Sequence, residues 1–247
     1  MTTHRLLLHS DGPALWPQHK PLGEVLELRA VTPALIWSGT YQGVPSPPGG
    51  YIFKRSWWRR KNRYETVGDC HARFISWDTG MKDEEKHDPS ACLVADLLPD
   101  YRLYLRWAYA EQLEFPDLAT QIQVVAETWN HDGKLSGVII EDKASGTSAL
   151  QTLRAVAPAW LVPLLMGFMP TTDKVTRAGQ ASVWCQNDCV LFPRPGAAMH
   201  WLIDFEDELF NFPQATHDDR VDAFSQLLLY LENLLEHGYH ARGGAHT

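Results

Sequence analysis

Short apolar runs alternate with longer segments of helical periodicity along this chain, and the two patterns predict its secondary structure. Strands are predicted over residues 71–78, 91–97, 102–108, 137–141, 161–165 and 189–192. Helices are predicted over residues 22–30, 115–129, 145–156, 174–184, 200–210 and 218–236. This order of elements predicts an α/β protein.

The spacing of the predicted strands indicates a mixed sheet. A short link at residues 99–100 is typical of a hairpin, so the first three strands are expected to form an antiparallel meander. The run at 137–141 is β-branched and apolar on both faces, which favours a central strand parallel to the first. Helices and strands alternate after it. We therefore expect a mixed central sheet with helices on both faces.

The two ends of the chain differ from its middle. Pro and Gly are dense before residue 50 and fill the stretch 43–50, which suits neither a helix nor a central strand. We expect residues 1–50 to form an N-terminal arm or linker, residues 51–236 the main domain, and residues 237–247 a flexible tail rich in Gly and His.

Composition indicates a folded protein in a reducing compartment. The 247 residues are 45% hydrophobic and include 10 Trp, enough for a sizeable core. The four cysteines are too scattered for a disulfide framework, and reduced thiols are a better interpretation than a zinc site. No apolar run is long enough for a bilayer, and the first residues do not form a signal peptide. We expect a soluble, cytoplasmic protein.

Positive charge is concentrated in one segment although the net charge is −8. Residues 54–63 contain six cations and two tryptophans, a mixture that suits contact with phosphate and stacking on bases. Candidate DNA contacts there are Lys54, Arg55, Arg59 and Arg60. A solvated segment with both tryptophans packed inward is an equally good interpretation. The chain contains no phosphate-binding loop motif for ATP.

Acidic residues stand where strands end and where the last helix begins. Asp78 ends the first strand, Glu141 ends the fourth, and Asp219 opens the helix. If these acids converge, they form a negative pocket that is tolerable only around hard cations. Two such ions holding a phosphodiester are the usual purpose of a pocket of this kind, so the pattern indicates a metal-dependent nuclease.

Neighbouring residues extend this candidate site. Asp218 and Asp222 lie close to Asp219 in sequence, and Asp222 shares its helix face. These acids also have a structural interpretation. Acids in a first helical turn can cap the helix, and an acid that ends a strand can stabilise the turn that follows. Secondary candidates are Asp142, which points away from Glu141 in a strand, together with His217 and Asp88. Further candidate phosphate contacts, alternatively surface ion pairs, are Lys143, Lys174 and Arg177.

Several motifs in one order resemble the nuclease domain of the large terminase subunit of tailed bacteriophages, a member of the RNase H-like superfamily. The matching pieces are PPGG at 47–50, FISWD at 74–78, IEDKASGT at 140–147, DKVTRA at 173–178, and FP at 212–213 leading into HDDRVDA at 217–223. The resemblance covers about residues 12–232. It implies that, of the family's N-terminal ATPase domain, this sequence contains only a trailing part within residues 1–50.

The resemblance implies an endonuclease that cuts concatemeric double-stranded DNA during viral genome packaging with two Mg²⁺ or Mn²⁺ ions. It implies that Asp78, Glu141 and Asp219 are the catalytic, metal-binding acids, with Asp218 and Asp222 beside them. Expected partners are double-stranded DNA, the terminase ATPase domain, the small terminase subunit and the portal protein, in the cytoplasm of a bacterial host. The alternatives are a stand-alone RNase H-like or Holliday-junction-resolvase-type nuclease, and a non-catalytic docking module of the packaging motor.

Overall fold

A mixed sheet forms the centre of the protein. The computed structural model describes residues 14–31, 40–41, 43, 52–61, 70–80, 89–141, 149–194 and 199–243, and within these ranges seven strands join in one sheet. The strands are β1 (Arg59–Lys61), β2 (Ala72–Asp78), β3 (Ser90–Leu97), β4 (Leu103–Glu111), β5 (Leu135–Glu141), β6 (Leu165–Phe168) and β7 (Val190–Pro193). Their spatial order is β1-β7-β4-β3-β2-β5-β6.

The pairing of the strands confirms the predicted topology. β2, β3 and β4 form an antiparallel meander. β5 lies parallel to β2, as its uniformly apolar sequence predicted, and β6 lies parallel to β5. On the other side, β7 is parallel to β4 and β1 is parallel to β7. The fold is therefore the expected mixed sheet with parallel strands added to a meander.

Six helices are found in the described parts of the chain: α1 (Leu22–Val31), α2 (Phe115–Trp129), α3 (Ala149–Val156), α4 (Lys174–Gln186), α5 (His200–Asn211) and α6 (Asp219–Gly243). Each corresponds to a predicted helix, and α2 has the predicted ends. The predicted first turn of α3, at 145–148, lies outside the described residues. Within the described residues, none of these helices has both the length and the apolar composition required to cross a bilayer.

Two predicted boundaries were wrong by four residues or more, and the short strand β1 was not predicted. The strand predicted over 161–165 is a 3-10 turn over Val162–Leu164, and β6 begins only at Leu165. Pro163 explains the shift, because proline has no amide hydrogen for a strand ladder but suits a first helical turn. The last helix continues beyond the predicted end at Glu236 to Gly243, since one internal glycine costs a helix only about 1 kcal/mol. The last residues of the expected tail, 244–247, lie outside the described residues.

The sheet separates two apolar cores because successive strand residues face opposite sides. In β2, Phe74 joins one core, whereas Ile75 and Trp77 join the other. The Phe74 core is covered by α4, α5 and α6, and the Trp77 core is covered by α2 and α3. Every residue of β2 is buried. The predicted arrangement of helices on both faces is therefore confirmed.

A buried ion pair fastens the beginning of β2 to its neighbours. The Arg73 guanidinium donates to Asp96 Oδ1 on β3 at 2.7 Å, to the Trp129 carbonyl oxygen at 2.6 Å and to Asp132 Oδ1 at 2.9 Å. Arg106 on β4 forms a second ion pair with Asp96, at 3.0 Å. These contacts join three strands and the end of α2 at the opposite end of β2 from Asp78.

We expect the Arg73→Met substitution to lower the free energy of unfolding by about 3 kcal/mol, because it leaves the buried Asp96 carboxylate without its main partner. Urea denaturation measures the effect. Arg102→Met is the matched control: its partner Asp100 is half exposed, so the change should stay within about 1 kcal/mol. Equal effects of the two substitutions would contradict the structural role assigned to Arg73.

Candidate active site

The two central parallel strands bring Asp78 and Glu141 to the same edge of the sheet. The register of β2 and β5 ends with Trp77 opposite Ile140, and the two acids follow directly. Neighbouring strands lie about 4.8 Å apart, so the two carboxylates leave the backbone side by side. Trp77 and Ile140 both pack in the core under α2 and α3. By alternation, Asp78 and Glu141 face the opposite side, which α6 covers.

Both acids are buried, although charged side chains usually stay in water. Asp78 is 4% exposed and Glu141 is 5% exposed. The Gly80 amide donates to Asp78 Oδ1 at 3.3 Å within the turn that follows β2. Two buried carboxylates at adjacent strand ends repel each other, so a site of this kind requires positive charge nearby.

Helix α6 is fixed over the two strands by Gln226. Its Nε2 lies 3.0 Å from Ser76 Oγ, 3.2 Å from the Trp77 carbonyl oxygen and 3.4 Å from the Ile139 carbonyl oxygen. An amide nitrogen has two hydrogens, so one is shared among these acceptors. The contacts hold α6 against both β2 and β5, and they place the first turns of the helix at the edge where these strands end.

Two cations of α4 connect the acids of α6 with Glu141. Arg177 donates from Nη2 to Asp222 Oδ1 at 2.9 Å, and its Nη1 lies 3.8 Å from Glu141 Oε1. Lys174 Nζ lies 2.9 Å from Asp218 Oδ1 and 2.5 Å from Asp222 Oδ2. Burial acts to lower the pKa of Lys174, but the contacts with Asp218 and Asp222 outweigh burial and raise it. Lys174 therefore stays protonated at neutral pH.

The start of α6 is held from a second direction by α5. Glu208 Oε2 accepts a hydrogen bond of 3.1 Å from the Arg220 amide, one of the unpaired donors of the first helical turn. Its other oxygen pairs with the Arg220 guanidinium. Burial raises the pKa of Glu208 to about 7, although Arg220 opposes the shift. The sequence offered one signal for this contact, a charged residue on the buried side of an amphipathic helix.

Of the predicted catalytic acids, Asp78 and Glu141 follow paired residues of adjacent strands, and Asp219 opens the helix that lies over these strands. Asp78, Glu141, Asp219 and Asp222 are all buried, and Asp218 is partly exposed beside them. Contacts join Glu141 to Asp222 through Arg177, and adjacent strand ends join Glu141 to Asp78.

The other predicted site residues differ in exposure where the structure describes them. His217 is exposed at the start of α6. Asp88, Asp142 and Lys143 lie outside the described residues. Lys174 is partly exposed, whereas Arg177 is only 5% exposed and faces acids of the protein itself.

The basic segment of residues 54–63 is only partly free for a ligand. Lys54 is exposed, with Nζ 5.4 Å from the centre of the Trp57 ring. Arg55 forms an ion pair with Glu206 at 3.4 Å and lies over the Phe210 ring. Trp57 and Trp58 pack against the core, as the alternative interpretation expected. Arg59 and Arg60 belong to β1.

The donor chemistry of the site suits a hard divalent cation. Carboxylate oxygens are the preferred ligands of Mg²⁺ and Mn²⁺. Lys174 and Arg177 offset only part of the acidic charge that gathers at this edge. In the described part of the chain, however, no three acidic, histidine or cysteine side chains are grouped as a metal site. The ligand types fit a metal, and the geometry places protein cations among the acids.

Viral terminases are among the solved structures that match this fold. The large terminase of a thermophilic bacteriophage, in complex with ADP, matches with a TM-score of 0.50 and 10% identity over 84% of this chain and 51% of that chain. The human cytomegalovirus terminase nuclease domain matches with a TM-score of 0.50 and 12% identity over 70% of this chain and 89% of that chain. This chain therefore spans about half the length of that bacteriophage protein.

A weaker match is the large terminase nuclease of another thermophilic phage, G20c, with bound magnesium, at a TM-score of 0.43 and 14% identity over 68% of this chain and 84% of that chain. A comparison with curated proteins gives no match. The family model described as the terminase RNaseH-like domain matches residues 75–231. This region contains the end of β2, all of β5 and α4, and the start of α6, and it is more than half of the sequence. The chain belongs to the terminase RNaseH-like domain family.

Proposed function

We propose that this chain is a metal-dependent endonuclease that cuts double-stranded DNA during viral genome packaging. The observation that supports the proposal most directly is the pairing of Asp78 and Glu141 at adjacent ends of parallel strands, under the helix that begins with Asp219. Membership of the terminase RNaseH-like family agrees with it. The ATPase domain, the small terminase subunit and the portal protein are the proposed partners.

In the proposed mechanism, Asp78, Glu141 and Asp219 hold two Mg²⁺ or Mn²⁺ ions. Bound ions of this kind lower the pKa of the attacking water and neutralise charge on the phosphate. The protein itself keeps the acids in place: Gln226 holds α6 against the strands, and Arg177 holds Glu141 near α6. Burial of the acids excludes water around them and strengthens their interaction with a cation.

DNA is proposed to contact the basic segment as well as the acidic edge. β1, which carries Arg59 and Arg60, lies four strand positions from β2 in the sheet. At about 4.8 Å per strand this is roughly 19 Å, the length of about six base pairs at 3.4 Å each. One duplex is therefore long enough to reach Lys54 or β1 while a phosphate lies at the acids. Contacts of this kind give affinity without sequence preference.

Plasmid nicking with Mn²⁺ tests the activity. We expect the Asp78→Asn variant to lose at least about 100-fold in rate, since even a partner behind a metal ligand commonly contributes that much. EDTA should abolish cutting by the unmodified protein. Asp100→Asn, which changes an exposed acid in the β3–β4 turn, is the control and should cut normally. Undiminished cutting by Asp78→Asn, or cutting in EDTA, would refute the proposal.

The preferred substrate separates this proposal from a stand-alone junction or hybrid nuclease. We expect linear duplex DNA to be cut at least as fast as a four-way junction or an RNA–DNA hybrid of equal length, in parallel assays with Mn²⁺. A strong preference for the junction or the hybrid would favour the stand-alone nuclease. Absence of both cutting and Mn²⁺ binding would favour a docking module.

The anchoring of α6 is tested by Gln226→Leu. The substitution removes the amide contacts with carbonyl oxygens of β2 and β5, so we expect the free energy of unfolding to fall by about 1–3 kcal/mol. Cutting should slow as well, because the start of α6 is no longer fixed over the strand ends. Gln180→Leu, on the exposed side of α4, serves as the control and should leave both quantities nearly unchanged. If Gln226→Leu had the same free energy of unfolding as the control, the anchoring role of Gln226 would be wrong.

A further inference from the structure

We infer that Asp222 is not a metal ligand of the site but its anchor, which fixes Arg177 so that Arg177 can position Glu141. The inference deepens the proposed function and rests on it. From sequence alone, Asp222 shares a helix face with Asp219 and qualifies equally as a ligand. Its contacts in the fold distinguish the two roles.

Both carboxylate oxygens of Asp222 face cations of the protein. Oδ1 accepts a hydrogen bond of 2.9 Å from Arg177, and Oδ2 lies 2.5 Å from Lys174 Nζ. The Asp222 side chain is only 5% exposed, and that of Arg177 is 6% exposed. A metal ion at Asp222 would compete with these cations for the carboxylate, and displacement of Arg177 would leave a buried charge without its partner. Such displacement is costly, so we assign Asp222 to the protein's own cations.

Arg177 connects this anchor to the strand edge. Each of its two terminal nitrogens lies near a different acid. Nη2 contacts Asp222, and Nη1 lies 3.8 Å from Glu141 Oε1. A planar guanidinium has the fork geometry for two carboxylates, whereas an ammonium group is a single point charge. Arg177 Nη1 also donates to the Thr172 carbonyl oxygen at 3.5 Å. With Asp222 and Thr172 fixing the guanidinium, its positive charge lies beside the Glu141 carboxylate and attracts it.

Helix α4 gives this connection a rigid base. Asp173 precedes the helix and accepts a hydrogen bond of 3.0 Å from the Thr176 amide, which fixes the first turn that carries Lys174 and Arg177. Lys174 also contacts Asp218. Acids and cations therefore alternate in one series of contacts, in the order Asp218, Lys174, Asp222, Arg177 and Glu141. Asp78, Glu141 and Asp219 are then the acids assigned to the metal ions.

Thermal unfolding in EDTA tests the anchor without metal or activity. We expect Asp222→Asn to lower Tm by on the order of 10 °C, because Arg177 and Lys174 lose a buried partner. Asp100→Asn, which changes an exposed acid, is the comparison, and it should change Tm by less than about 3 °C. A Tm for Asp222→Asn within about 3 °C of the unmodified protein, or an equal fall for both variants, would overturn the inference.

Calorimetric titration with Mn²⁺, below the Tm of each variant, tests the assignment of ligands. Asp222→Asn should keep the number of bound ions of the unmodified protein and lose about 10–100-fold in affinity, as for a residue behind a ligand. Asp219→Asn should bind fewer ions. If Asp222→Asn also binds fewer, Asp222 is a ligand and the inference fails. If the unmodified protein binds no Mn²⁺, the proposed function fails instead, and the comparison in EDTA still decides the anchoring role.

The positioning role of Arg177 is tested by Arg177→Lys beside Arg177→Met. The lysine variant keeps the positive charge, so its Tm should fall less than that of the methionine variant. It cannot span both carboxylates, so its Mn²⁺ affinity should still fall about 10-fold or more. Wild-type Mn²⁺ affinity in Arg177→Lys would show that charge alone suffices and would refute the positioning role.

Discussion

Two buried acids side by side at the ends of parallel strands are the constraint on which the rest of this structure depends. Asp78 and Glu141 are buried beside each other, so their charges repel and a cation close to them is favourable. α4 supplies Arg177, and α6 is held in place by Gln226 and Glu208. The helices on this face therefore do more than cover an apolar core, since their cations offset part of the acidic charge at the edge of the sheet.

The sheet gives the site its precision because the acids are placed by backbone hydrogen bonds rather than by a loop. Trp77 and Ile140, which precede Asp78 and Glu141, are fully buried in the opposite core. Packing of these large side chains fixes the direction in which the next side chains point. The location also agrees with the general tendency of α/β sheets to bind ligands outside the carboxyl ends of their strands.

Local patterns in the sequence were sufficient for most elements but not for the contacts between them. The apolar runs predicted β2 and β5, and helical spacing predicted α2 with its observed ends. The convergence of Asp78 and Glu141 followed from the expected parallel pairing.

The contact of Arg177 with Asp222 spans 45 positions in sequence, and that of Arg73 with Asp96 spans 23. No periodicity encodes such pairs, so the sequence could suggest only phosphate contacts or surface ion pairs for Arg177. Its near-complete burial among acids depends on how α4 packs against α6.

The position of β1 has a consequence for solubility. Among the described strands it lies at one end of the sheet, where a row of backbone groups has no further strand to pair with. An edge strand of this kind can pair with a strand of another molecule and so start aggregation. All of its residues, Arg59, Arg60 and Lys61, are cationic, so two copies brought together there would repel each other. The cationic sequence of β1 therefore disfavours edge-to-edge pairing of two copies.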